Sequence, residues 1–291
     1  MTRASRILSK ADRDGTTRHI APALERADIE RLSDRRSRFA WNPGDDAPAP
    51  PAVEEEEDST SAFGPRESAP PVSARPVFGA TLDKDMVAAL QPFSPAAEQF
   101  RSLRTRIAQV ESAGQRRVIL VTSPGSGDGK TVTSANLALT MAQEFQRQVL
   151  LIDADLRNAR MHECLGIARE PGLSDVLAGT ASLEDALVSL SEYRVIALPA
   201  GSPHARPTEL LSSEPMRRLV ENLARRFDRV VIDSTAAHFA DAGVLEPLAD
   251  GVLVVVRAGR TARPSVARAL GLVPRAKLLG LVLNDSRAAS R

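Results

Sequence analysis

Val118-Ile119-Leu120-Val121-Thr122-Ser123-Pro124-Gly125-Ser126-Gly127-Asp128-Gly129-Lys130-Thr131 decides how this chain folds. Its opening residues are apolar and β-branched and read as a buried strand. A glycine-rich turn follows and ends in Gly129-Lys130-Thr131, and an apolar helical pattern (Ala135, Leu137, Ala138, Met141, Ala142) begins at once. Strand, glycine loop, Lys-Thr and helix in that order describe a phosphate-binding loop. Gly125, Gly127 and Gly129 let backbone N–H groups curl around a polyphosphate along a path that side chains obstruct. The helix adds the positive end of its dipole, Lys130 can reach the outer phosphates, and the Thr131 hydroxyl can ligate Mg²⁺. The common pattern has a glycine where this chain has Pro124. A flexible surface loop, the bland alternative, does not explain Lys-Thr at the helix entry.

Downstream, Val149-Leu150-Leu151-Ile152 reads as a strand buried on both faces, running into Asp153-Ala154-Asp155-Leu156-Arg157. Two carboxylates two residues apart at a strand's carboxyl end can hold Mg²⁺ or take a proton from an attacking hydroxyl. The plain alternative is a polar strand exit. Val230-Val231-Ile232-Asp233 repeats the pattern, and an Asp there in a P-loop protein supports the metal shell. Further strands are predicted at 194–198, 252–256 and 278–283, with a helix over 209–227 whose Leu210, Leu211, Met216, Leu219 and Leu223 face inward. Residues 158–190 read as short helices and loops. Strands alternating with helices predict an α/β fold, a doubly wound and mostly parallel sheet of P-loop NTPase type.

Upstream, a helix is predicted from Ala96 to about Ala113. Glu98, Arg101 and Arg104 share one face, and Phe100, Leu103, Ile107 and Val110 form the apolar stripe. By spacing alone the charged face is a solvated surface. Residues 1–40 are basic and polar with a thin helical pattern over 21–39. From Trp41 to about Phe78, prolines surround Glu54-Glu55-Glu56-Glu57-Asp58, the composition of an extended linker. The expected organisation is a disordered arm and linker over 1–80 and one folded domain over 81–291.

A net charge of +1 over 291 residues makes no electrostatic case for nucleic acid. No apolar run reaches the length of a membrane span, and the amino terminus lacks the apolar centre of a signal peptide. Cys164, the single cysteine, excludes an internal disulfide, and the four histidines lack metal-ligand spacing. The expected location is the cytoplasm.

Together these motifs resemble the bacterial tyrosine kinases (BY-kinases). Ser123 to Thr131 is similar to their Walker A motif, Leu151 to Arg157 to Walker A′, and Val230 to Asp233 to Walker B. Glu98, Arg101 and Arg104 match E-x-x-R-x-x-R, which implies ring-like self-association through that helix and overturns the solvated-face reading. Gly172 to Leu177, Leu198 to Gly201, Glu209 to Leu211, Asp241-Ala242 and Leu283-Asn284 also look like family landmarks. The resemblance spans about residues 92–285. It implies binding of ATP and Mg²⁺, phosphoryl transfer to protein tyrosine, and control of capsule or exopolysaccharide polymerisation and export. It also implies a membrane chain-length determinant protein as partner, recruiting the chain to the inner face of the plasma membrane. Carried over by position, Ser126, Asp128 and Val132 join the loop glycines, Lys130 and Thr131 around the nucleotide. Asp153 and Asp155 become metal and catalytic carboxylates, Asp233 the Walker B acid, and Asn284 a contact to the base.

Three departures stand out. Asp128 replaces the family's usual Glu, Asp233-Ser234-Thr235-Ala236-Ala237 lacks its prolines, and residues 284–291 contain no tyrosine. Tyr193 is the sole tyrosine, so either another protein supplies the acceptor or ATP binding serves as a switch. Two competing readings are a positioning ATPase of the ParA/MinD kind and a nucleotide-bound scaffold. The former places a signature lysine where this chain has Gly125.

Overall fold

The computed structural model describes residues 73–110, 117–144, 147–237 and 240–284. The predicted helical pattern over 21–39, the acidic run and the segment after Asn284 lie outside the described residues. Eight strands form one sheet: β1 (Arg75–Val77), β2 (Val118–Thr122), β3 (Val149–Asp153), β4 (Val188–Leu190), β5 (Val195–Leu198), β6 (Arg229–Asp233), β7 (Gly251–Arg257) and β8 (Leu278–Asn284). Their order across the sheet is β1-β4-β5-β3-β6-β2-β7-β8. All neighbours are parallel except β4 and β5, which form an antiparallel hairpin. Two strands depart from the expected pattern. Residues 188–190 pair with both β5 and β1, and residues 75–77, expected in the linker, add the edge strand. Pro76 has no N–H to donate, which an edge strand tolerates.

Both faces of the sheet are covered, as the wholly buried strands β2 and β3 require. One face carries α1 (Pro95–Val110) and α2 (Lys130–Ala142), whose Phe100, Leu103, Leu137 and Met141 pack on Ile119, Val121, Leu151 and Val231. The other carries α3 (Glu214–Arg226) and α4 (Arg263–Gly271), with Met216, Val220 and Leu223 against Leu120, Leu150, Ile152 and Ile232. Alternation along each strand therefore divides its residues between two cores.

Three local features refine the expected helices. Val110, expected in the apolar stripe of α1, is 41% exposed. The helix expected over 209–227 is two helices, Pro207–Leu211 and α3. Ser213 separates them and caps α3, its Oγ accepting from the Met216 N–H at 3.4 Å. Two glycine-bearing segments remote in sequence also interlock. The N–H groups of Leu173 and Ser174 donate to Pro199 O (2.7 Å) and Ala200 O (2.9 Å). One oxygen of Asp175 accepts from the N–H groups of Gly172 (2.8 Å) and Ser202 (3.1 Å).

Candidate active site

The loops that follow β3, β6 and β2, three neighbouring strands, converge at the amino end of α2, where open α/β sheets bind ligands. In the first half of the P-loop Gly127 has φ +79°, and Gly129, which precedes α2, has φ +97°. Gly129 is required twice over, because a Cβ there would stand 1.9 Å from Asn284 Nδ2. Asp128 folds back on its own loop. Its Oδ2 accepts from the Gly125 N–H (2.8 Å) and its Oδ1 from the Thr261 hydroxyl (2.8 Å). Thr261 Oγ1 in turn accepts from the Arg257 N–H (2.9 Å). The Arg257 guanidinium donates to Gly127 O (3.2 Å), and Asn284 Nδ2 donates to Asp128 O (3.1 Å). The ends of β7 and β8 thus stitch the loop in place, and the short reach of Asp128 suits this inward role. A cavity of about 360 Å³ is lined by Pro124 to Asp128 of the loop together with Arg257, Arg260 and Ser265. Thr261→Val removes one stitch. The expected result is Mg²⁺–ADP binding weakened by about fivefold in calorimetry, the loss of roughly one hydrogen bond.

Asp153 and Asp233 lie directly opposite each other on adjacent parallel strands, on the face covered by α2. Both are fully buried. Asp153 is held by the Asp155 N–H (3.1 Å) and the Met161 N–H (3.2 Å). Burial and the neighbouring Asp233 carboxylate push its pKa well above the ordinary range. Burial likewise raises Asp233, to about 6, against hydrogen bonding by Thr131 and the positive charge of Lys130. Ser134 Oγ donates to Asp233 Oδ1 at 3.2 Å, while the buried Oδ2 has no partner among the described residues. Asp155 is the more accessible member of its pair, 7% exposed, with Oδ1 accepting from the Asn158 N–H (3.0 Å).

These groups fit Mg²⁺. The orphaned Oδ2 of Asp233, the Asp155 carboxylate and the Thr131 hydroxyl are hard oxygen donors beside the P-loop. No cluster of three or more His, Cys, Asp or Glu residues able to hold a metal occurs among the described residues. A Mg²⁺ ion held here would take one or two carboxylates from the protein and complete its shell with substrate phosphates. Bound there, it would neutralise phosphate charge. Lys130, buried at the start of α2, lowers the Asp233 pKa and is placed to meet phosphate oxygens.

The remaining candidates fall in different places. Ser126 and Gly127 are exposed on the rim of the loop, and Val132 packs toward the core. Asn284 turns its amide to the P-loop backbone. On α1, Glu98 and Arg101 pair at 2.6 Å, and Arg101 also donates to Pro92 O (2.7 Å). Arg104 turns inward, donating to Thr140 O (3.0 Å) and pairing with Glu144 (3.2 Å).

One group of polar residues emerges only in the structure. Arg157 forks onto the fully buried Asp241, Nε to Oδ2 at 2.5 Å and Nη2 to Oδ1 at 3.3 Å. Thr208 completes the triad, donating to Asp241 Oδ1 and accepting from Arg157 Nη2 (2.9 Å). The sequence offers Arg157 behind the two aspartates, and Asp241-Ala242 as a family landmark, as signals. Nothing in it links that arginine to positions 51 and 84 residues away.

The fold and loop define a P-loop nucleotide-binding domain, and residues 119–290 match the CobQ/CobB/MinD/ParA nucleotide binding domain. The chain is 34% identical over 212 residues to the tyrosine-protein kinase YwqD of Bacillus subtilis (strain 168), covering 72% of this chain and 89% of that protein. It is 37% identical over 201 residues to the succinoglycan biosynthesis transport protein ExoP of Rhizobium meliloti (strain 1021), covering 67% of this chain and 25% of ExoP. Its fold matches the kinase domain of the Escherichia coli tyrosine kinase ETK with a TM-score of 0.66 and 28% identity, over 71% of this chain and 82% of that one. The chain belongs to the bacterial tyrosine kinase family.

Proposed function

We propose that this chain is a protein-tyrosine kinase that uses Mg²⁺–ATP in the assembly and export of an extracellular polysaccharide, with its acceptor tyrosine on another polypeptide. The observation that carries this reading is the convergence of Lys130, Thr131, Asp155 and Asp233 on one P-loop. Lys130 and the loop N–H groups bind the phosphates, Thr131, Asp155 and Asp233 hold the cation, and Asp153 or Asp155 takes the acceptor proton. Asn284 borders the base.

The position of Tyr193 supports an acceptor elsewhere. It lies just before β5, and the parallel strands place the P-loop at the opposite, carboxyl edge of the sheet. Its ring also packs partly buried against the core. The polysaccharide role rests on the family, including ExoP, whose name places it in succinoglycan biosynthesis and transport. On the same basis the partner is a membrane chain-length determinant protein, which holds the chain at the inner face of the plasma membrane. No described helix is long and apolar enough to cross a membrane. Glu98 and Arg101 are the outward groups of an oligomeric contact through α1, and Arg104 secures that helix to α2.

The test supplies radiolabelled ATP, Mg²⁺ and a glutamate–tyrosine copolymer. Phosphotyrosine should appear on the copolymer and vanish with Lys130→Ala. ATP consumption with no phosphotyrosine would contradict the kinase reading and favour an ATPase switch.

A further inference from the structure

The triad of Arg157, Asp241 and Thr208 joins three loops that leave adjacent strands. β5, β3 and β6 are consecutive in the sheet. Thr208 lies in the helix Pro207–Leu211 after β5, Arg157 follows β3, and Asp241 lies in the first turn of the helix Ala240–Leu245 after β6. Asp241 is a buried carboxylate, and in the folded chain hydrogen bonds from Arg157 and Thr208 outweigh its desolvation and hold its pKa below the ordinary value. A forked guanidinium–carboxylate pair fixes orientation as well as distance, which a lysine cannot reproduce. Arg157 stands two residues from Asp155, whose Oδ1 accepts from the Asn158 N–H, so the loop between them has little slack. The helix carrying Asp241 comes after β6, the strand that ends at Asp233, and Asp155 comes after β3, the strand paired with it. The fork therefore spans the same gap as the two carboxylates placed to hold the cation.

We propose that Arg157 and Asp241 are positioning residues for phosphoryl transfer: their fork, seated on Thr208, sets the separation of Asp155 from Asp233 without touching nucleotide. This rests on the kinase reading above. A clamp of this kind acts on turnover more than on binding of the nucleotide itself, because the hydrogen bonds that hold the P-loop in place do not involve it. Misplacement by about an ångström can cost about a hundredfold in rate.

The experiment compares Arg157→Lys, Asp241→Asn, Thr208→Val and Thr208→Ser in the full chain. Copolymer phosphorylation should fall by about ten- to a hundredfold in kcat for the first two, with the Kd for ADP measured without Mg²⁺ within about twofold of wild type. Thr208→Ser, which keeps the hydroxyl, should exceed Thr208→Val in rate. Amide hydrogen exchange read on the same proteins does not depend on kinase activity. Asp241→Asn should speed exchange over residues 154–160 while leaving residues 125–131 unchanged. Wild-type turnover in these variants, or a loss matched by an equal loss of affinity for ADP without Mg²⁺, would overturn the proposal. If the wild type itself transfers no phosphate, the kinase reading fails, and unchanged exchange over 154–160 would then reject the clamp on its own.

Discussion

Asp233→Asn is expected to lower phosphoryl transfer by about a hundred- to a thousandfold while raising the Tm of the ligand-free protein. The two effects share one cause. Asp233 is fully buried beside Asp153, and its Oδ2 has no partner among the described residues. Burial raises its pKa from 3.8 to about 6 in the folded chain. The native state therefore holds that proton more tightly than the unfolded state. The associated stability is present below about pH 4 and is lost as pH rises through about 6, so at neutral pH the ionised group destabilises the empty site. Asparagine removes that charge and keeps an acceptor for Ser134 Oγ. Its amide N–H groups take over the unpartnered position of Oδ2, which limits the gain to about 1–2 kcal/mol, or about 2–8 °C. Scanning calorimetry should find the variant more stable at pH 7.5, with the difference shrinking at pH 5. A wild type more stable than the variant at pH 7.5 would contradict this account. Mg²⁺–nucleotide binding should run the other way and weaken below about pH 6, because a cation needs the ionised carboxylate.

Gly172→Ala is expected to be strongly destabilising. The backbone of Gly172 is extended, with φ −153°, so strain is not the reason. Space is. A Cβ would lie 2.3 Å from both Gly201 N, which donates to Arg169 O, and Pro199 O, which accepts from the Leu173 N–H. Relief requires the two segments to part, breaking the hydrogen bonds to Pro199 O and Ala200 O. Overpacking plus those losses comes to about 3–5 kcal/mol. Urea denaturation should report a lower midpoint, or the protein should fail to accumulate in folded form. Gly179→Ala is the control. It has a positive φ and open space around its Cα, so it should cost only about 1 kcal/mol.

The central strands and the carboxylates at their ends are legible because burial on both faces leaves a continuous apolar run that ends at a polar residue. Asp153 and Asp233 close such strands, Asp155 follows two residues on, and Lys130 opens α2 after the glycine loop. β4 and β1 are not legible: three residues carry no periodicity, and Pro76 argues against a strand until the edge position is known. Pro215 marks the break between Pro207–Leu211 and α3, but the apolar spacing of Leu210, Leu211 and Met216 runs across it. The stitches at Asp128, Thr261 and Asn284 and the fork of Arg157 on Asp241 join positions far apart in sequence. Only the order of strands across the sheet brings them together.

The most direct measurement of the central claim is intact-mass and phosphosite analysis of the chain mixed with Mg²⁺–ATP and the cytoplasmic tail of a chain-length determinant protein, with Lys130→Ala in parallel. Phosphate on a tyrosine of the tail, absent from Tyr193 and absent with Lys130→Ala, is the predicted result. Phosphate on Tyr193, or tail phosphorylation that survives Lys130→Ala, would contradict transfer from this P-loop to a separate acceptor.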